Sequence, residues 1–175
     1  DFDAIYTKSL SKVVAECRAL DPKVHGVVMI DSISHLWDAA QEAYEGKRGG
    51  KDGDKIPAGA WGKIKKPYKD LIRFLVESPF HVFVNGRQKT LYDEQSDGNW
   101  KKIGVGMRAE GETQYEPHIC IRMEAMKDPS RPNASLYCAN VEKDRSGVLA
   151  GKMLLNPSFS SIEPLLSILG SEQAR

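Results

Sequence analysis

Asp31 closes the apolar run Val27-Val28-Met29-Ile30 and is followed at once by Ser32 and, two residues on, by Ser34. Four apolar residues ending in a carboxylate describe a strand buried on both faces whose polar end emerges where a ligand can reach it. In an open parallel α/β sheet, ligands sit outside the carboxyl ends of the strands, so Asp31 stands where a magnesium-phosphate would need it. Mg²⁺ keeps several waters and takes few protein carboxylates. Asp31, acting directly or through water, with the Ser32 hydroxyl beside it, is therefore a chemically sufficient metal and cofactor-binding pair. The same Asp-Ser pair also caps helices, and residue type alone leaves that alternative open.

A phosphate-cradling loop of the form GxxxxGK[ST] would complete such a site, because its glycines expose backbone N–H groups and its lysine and hydroxyl meet phosphate and metal. Gly46 to Asp52 is one residue short of that pattern and ends in aspartate; Gly147 to Met153 is also one short and ends in methionine. Neither is a phosphate loop. His25, His35, His81 and His118 show no metal-ligand spacing, and Cys17, Cys120 and Cys138 form no CxxC pair. An odd number of unspaced cysteines suggests reduced thiols rather than a disulfide framework or a zinc site.

The elements that must position these residues follow from periodicity. Ile5, Leu10, Val13, Val14, Cys17 and Leu20 share one helical face, which predicts an amphipathic helix over residues 4–20. Residues 26–31 predict a strand, and the glycine- and charge-rich GKRGGKDGDKIPAG, 46–59, predicts a loop. From Trp61 to Val76 apolar residues keep steps of three and four, the strongest helix signal in the chain; Ser78-Pro79 stops it, and HVFVN, 81–85, predicts a second strand. Strand, helix, strand is a crossover unit and favours a parallel sheet. Residues 90–114 read as a second polar loop. HICIRMEAM (118–126), ASLYCANVEKD (134–144) and VLAGKMLLN (148–156) read as three further strands, the last pairing back as a hairpin, with a short helix at 162–169.

The 175 residues fit one α/β domain, with mobile loops expected at 40–60 and 89–114. A formal charge of +1 with 41% hydrophobic and 28% charged residues is the composition of a soluble globular protein and names no partner. No apolar stretch approaches the roughly 18 residues a membrane helix needs, and the start lacks a secretion signal, so a cytoplasmic protein without a membrane role is expected.

The order of the pieces carries a resemblance. "VVMIDS", a loop, a helix, "HVFVNGRQK", a second polar loop, "EPHICIRME" and "VEKDRSG" are similar to the second half of the RecA-type ATPase core shared by RecA recombinases and DnaB-type helicases. More closely, "IDSISHLW", "AWGKIKKPYKDLI", "SPFHVFVNGRQKT", "KIGVGMRAEGETQYEPHICIRME" and "VEKDRSG" resemble the RecA-like, AAA-family ATP-binding proteins of phages and mobile elements. The likeness spans residues 20 to 160.

That resemblance implies a RecA-like three-layer α/β/α fold with a mostly parallel sheet, a C-terminal antiparallel hairpin and its first elements missing, the phosphate loop and catalytic glutamate being expected before residue 1. It implies ATP and Mg²⁺ as cofactors, with Asp31 as the Walker B aspartate. Asn85 and Arg87 occupy the γ-phosphate sensor region, where RecA has a glutamine and this chain has Gly86 and Arg87, with Gln88 one step on. Lys143 and Arg145 match the Lys-x-Arg pair that reaches the γ-phosphate of a neighbouring subunit. Alternation along a strand places both on one side, where two cations would stabilise the charge of a transferred phosphoryl group. A basic turn facing solvent is the alternative.

The two loops hold the places that line the DNA path in RecA. Between residues 47 and 66 stand Lys47, Arg48, Lys51, Lys55, Lys63, Lys65 and Lys66 against Asp52 and Asp54, a local excess of +5 in a chain of total +1, which suits a phosphate backbone. Trp100 beside Lys101 and Lys102, with Arg108 further on, supplies the aromatic and cations that single-strand binders use. A solvated loop with an incidental tryptophan is the competing reading. The function implied is an ATP-hydrolysing RecA-like motor or recombinase core acting on single-stranded DNA in phage recombination or replication, in the bacterial host cell. Self-association into a ring or filament, and contact with a single-strand-binding protein, are implied with it. A non-hydrolysing nucleotide- or DNA-binding assembly module, a DnaB-like helicase core and a small-molecule enzyme on an unrelated doubly wound fold are the rivals.

Overall fold

The structure, a computed structural model, describes residues 2–48, 56–96 and 98–165. The chain divides into two compact units, Asp1–Glu116 and Pro117–Arg175.

In the first unit, helix α1 (Leu10–Ala19) starts at Ser9, whose side chain accepts from the Lys12 N–H. This cap satisfies one of the N–H groups a helix start leaves without a partner. It also places the beginning of the helix later than the apolar spacing from Ile5 suggested. Strand β1 (Val27–Asp31) leads directly into helix α2 (Ile33–Arg48), so residues 40–48, expected within a loop, are helical. Helix α3 (Trp61–Glu77) carries Pro67 in its interior and still forms, because Ile64, Tyr68, Leu71, Ile72 and Leu75 are all buried along one face. Burial of five such side chains outweighs the ~3 kcal/mol an interior proline costs. Strand β2 (His81–Asn85) then pairs parallel with β1 in the register Val27↔His81 through Asp31↔Asn85.

Val28 and Ile30 of β1 face the helices and join the core with Ile33, Leu36, Trp37, Tyr68, Leu71 and Phe80. Trp37 links α2 to α3, stacked on Trp61 at 6.3 Å and edge-on to Tyr68 at 5.1 Å. Tyr68 Oη lies 3.0 Å from Thr113 Oγ1, and burial pushes its phenol up to about 12. The opposite face of the pair is open, with Val27 56% and Met29 64% exposed, so among the described residues the predicted strand burial on both faces holds on one face only.

Of the expected mostly parallel three-layer sheet, the described residues form a parallel part of two strands. The described residues contain one parallel pair, β1-β2, and two antiparallel sheets. Within the loop expected at 89–114, the chain forms a hairpin of β3 (Gln88–Glu94) and β4 (Trp100–Met107). In the second unit, β5 (Ile119–Asp128), expected as a strand at 118–126, pairs antiparallel with β6 (Arg131–Asp144), and β7 (Met153–Leu155) adds to β6, as the expected C-terminal hairpin. The reason is local. Asp128 accepts from the Ser130 N–H and Oγ and from Arg131 Nε, so its side chain builds a tight turn that returns the chain onto β5. Val141, Leu149 and Leu165 form a small core there, and residues 159–165 are helical; residues 166–169 of the predicted last helix lie outside the described residues. The architecture is thus mixed α/β with small sheets. No helix among the described residues is long and apolar enough to cross a membrane.

Candidate functional site

Asp31 and Asn85 are register partners at the carboxyl ends of β1 and β2. Because paired residues of neighbouring strands point to one face, both side chains stand on the open face, at the end of the apolar strip formed by Val27, Met29 and Phe83. The Asp31 carboxylate is exposed and meets no cation or donor among the described residues. Unpaired and solvated, it stays available to a cation. No group of three His, Cys, Asp or Glu that could hold a metal occurs among the described residues. A lone carboxylate suits a magnesium that keeps most of its waters rather than a metal caged by protein.

Immediately after Asp31 the chain turns inward. Ser32 is buried with its Oγ 3.4 Å from His35 Nδ1, and Ser34 is fully buried with its Oγ accepting from the Arg87 N–H at 2.9 Å. The last contact ties the exit of β2 to the start of α2, so Asp31, Ser32, Asn85 and the Arg87 backbone are gathered into one corner of the first unit.

Lys143 and Arg145 belong to the second unit. Lys143 pairs with Cys120 on β5, and the Arg145 N–H donates to His118 O at 3.0 Å, carrying the ladder one residue past β6. Asp144 between them organises the following turn. Its carboxylate accepts from the N–H groups of Ser146 and Leu149, each at 2.8 Å, and from Ser146 Oγ. Burial opposes its charge, but these hydrogen bonds outweigh it and hold the carboxyl below its ordinary value. Asp144 thus fixes where Arg145 leaves the sheet. The sequence signal for it is the Asp-x-Ser-Gly composition of a side-chain-built turn.

The nucleic-acid candidates separate into distinct environments. Lys63 and Lys66 are exposed on α3. Lys65 is bound to the buried Glu110 at 2.9 Å. Arg108 pairs with Asp38 at 3.1 Å. Lys51 and Lys55 lie outside the described residues, as do the side chains of Lys47 and Arg48, whose backbone ends α2.

On the hairpin, Glu94 faces Trp100 and Tyr92 faces Lys102 with no irregularity between the two pairs. Tyr92, Trp100 and Lys102 therefore share one face near the tip, and Lys101 points to the other. Trp100 is 65% and Tyr92 57% exposed, an uncovered aromatic pair on alternate rungs of one face. Tyr92 escaped the sequence reading because it sits in a polar stretch. The alternation of Thr90 and Tyr92, and separately of Ile103 and Val105, was the available signal.

Comparison with known proteins adds one finding. No curated protein and no solved structure matches the chain. Residues 2–146 match the family described as AAA domain. The match covers most of the chain and includes the β1-β2 pair with Asp31 and Asn85, the hairpin and the Lys143–Arg145 segment. The chain therefore belongs to the AAA domain family, a family of nucleotide-binding, ATPase-type domains.

Proposed function

We propose that this chain forms the magnesium-ordering and phosphate-sensing part of a RecA-like ATPase that acts on single-stranded DNA in phage recombination or replication. The observation that carries the reading is the Asp31↔Asn85 register at the open carboxyl ends of two parallel strands. A carboxylate with no competing partner among the described residues stands there beside an amide that can donate to a phosphate oxygen. When Mg-ATP is bound, the metal supplies charge neutralisation for the phosphates. Asp31 is the residue that would hold it through oxygen, with the Ser32 hydroxyl turned inward beside His35, and Asn85 and the Arg87 segment would face the terminal phosphate. Lys143 and Arg145 would serve a neighbouring subunit in a ring or filament, a role supported by their match to the Lys-x-Arg pattern and by the turn that Asp144 holds.

The DNA part of the reading is supported by the exposed Tyr92–Trp100–Lys102 face, because stacked bases and paired phosphates are the two interactions that a single strand offers without sequence preference. The test is Mg-dependent ATP binding and turnover by the full-length gene product, with Asp31→Ala as the variant. The substitution is expected to remove the magnesium dependence of binding and to lower turnover by about 100-fold or more, the scale of a lost charge-stabilising group. Turnover equal to that of the unsubstituted protein removes the assignment.

A further inference from the structure

The neck of the β3–β4 hairpin is built against helix α2 by contacts that the nucleotide site does not require. The Arg87 N–H donates to the fully buried Ser34 Oγ at 2.9 Å. The Arg108 N–H donates to Arg87 O at 2.7 Å, closing the ladder one step beyond Gln88↔Met107. The Arg108 guanidinium meets Asp38 Oδ2 at 3.1 Å, and Asp38 lies four residues after Ser34, on the same face of α2. Met107 closes the other side so tightly that a Cβ on Gly86 would lie 2.6 Å from its Cγ and Sδ. From Arg108 to Trp100 the strand runs eight residues, about 26 Å at 3.3 Å per residue, so Arg108 is far from the aromatic tip.

We propose that Arg108 is a positioning residue and not a phosphate contact. Its pair with Asp38, with Ser34 holding the opposite strand of the neck, sets the direction in which the hairpin leaves the end of β2, and hence where Tyr92, Trp100 and Lys102 stand relative to Asp31 and Asn85. The first part concerns the fold alone; the consequence for DNA rests on the function proposed above. Three features separate this role from that of a basic residue in a binding loop. The charge of Arg108 is already paired, its backbone is part of the ladder, and its partner is a carboxylate whose removal would strengthen binding to a polyanion if field alone mattered.

Two measurements on the full chain test it. Amide hydrogen exchange is followed in Asp38→Asn, in Arg108→Gln and in the charge-exchanged double variant Asp38→Arg with Arg108→Asp. Each single variant is expected to speed exchange of the neck amides, residues 87–90 and 105–108, by about fivefold, with α1 and α3 unaffected and the double variant restored. Unchanged exchange at the neck overturns the proposal, as does failure of the charge exchange to restore it.

Binding of single-stranded oligonucleotide is then measured across salt. Arg108→Gln and Asp38→Asn are both expected to weaken binding with the log–log salt slope preserved, whereas Lys102→Gln lowers the slope by about 0.7. A slope loss in Arg108→Gln, or tighter binding by Asp38→Asn, overturns the proposal. If the unsubstituted chain shows no binding at all, the DNA reading fails by itself and the exchange result decides the positioning role.

Discussion

Glu110 is buried and yet charged. Burial raises its carboxyl, but Lys65 at 2.9 Å and the Glu112 N–H at 2.9 Å more than compensate, and the group titrates below its ordinary value. Lys65 is therefore held in place by a need internal to the first unit, whatever else it touches. Replacing it by methionine leaves a buried carboxylate without its cation, at a cost of about 1–3 kcal/mol. A carboxyl depressed in the folded state contributes stability above its unfolded value and loses it as pH falls. The urea midpoints of Lys65→Met and the unsubstituted chain should accordingly differ at pH 7 and converge as pH drops below the ordinary 4.5 of a glutamate. A gap that persists at low pH would show that Lys65 acts through packing of its stem.

The hairpin is the element on which the DNA reading turns. Both of its faces are polar near the tip, and its aromatics are uncovered. An element that buries so little gains little from folding alone, and such exposed aromatics suit a surface that meets a partner. If bases stack there, Trp100→Ala should weaken single-stranded DNA binding by about 1–3 kcal/mol and leave the salt slope unchanged, with Trp100→Phe retaining most of the affinity. Fluorescence anisotropy with a labelled oligonucleotide checks this; equal affinity for the alanine variant would return the hairpin to a solvated role. The same polarity explains why residues 90–107 read as part of a loop. A strand pair solvated on both faces lacks the one-sided apolar alternation by which strands are recognised. By contrast α3, with one buried face, was legible down to its ends at Trp61 and near Ser78.

At the scale of the whole molecule, the family match spans both units, from the strand ends that carry Asp31 and Asn85 to the turn that carries Arg145. The proposed assembly gives Arg145 a role in a neighbouring subunit's site. Arg145→Ala should therefore spare nucleotide binding by the full-length protein while lowering hydrolysis by about 1,000-fold, the scale of a lost arginine finger. Mixing it with an Asp31→Ala variant, which retains its own Arg145, should restore part of the turnover. An absence of rescue at every mixing ratio would argue that Arg145 serves only its own subunit's turn.

What the sequence by itself determined is the set of local signals: the apolar run ending in Asp31, the helix from Trp61, the strand ending at Asn85, and the turns around Asp128 and Ser146. Each of these depends on neighbours within a few residues, so periodicity and turn chemistry suffice to read them. Tertiary structure decided which of these signals meet. Parallel register made Asp31 and Asn85 neighbours across 54 residues of chain. Antiparallel return at Asp128 made β5 and β6 ladder partners. The partners Asp38 and Glu110 converted Arg108 and Lys65, two cations among many in the sequence, into bonded groups. The physical reason is that pairing and ion-pair choice depend on groups brought together only by folding, and residue type records a charge without recording what stands opposite it.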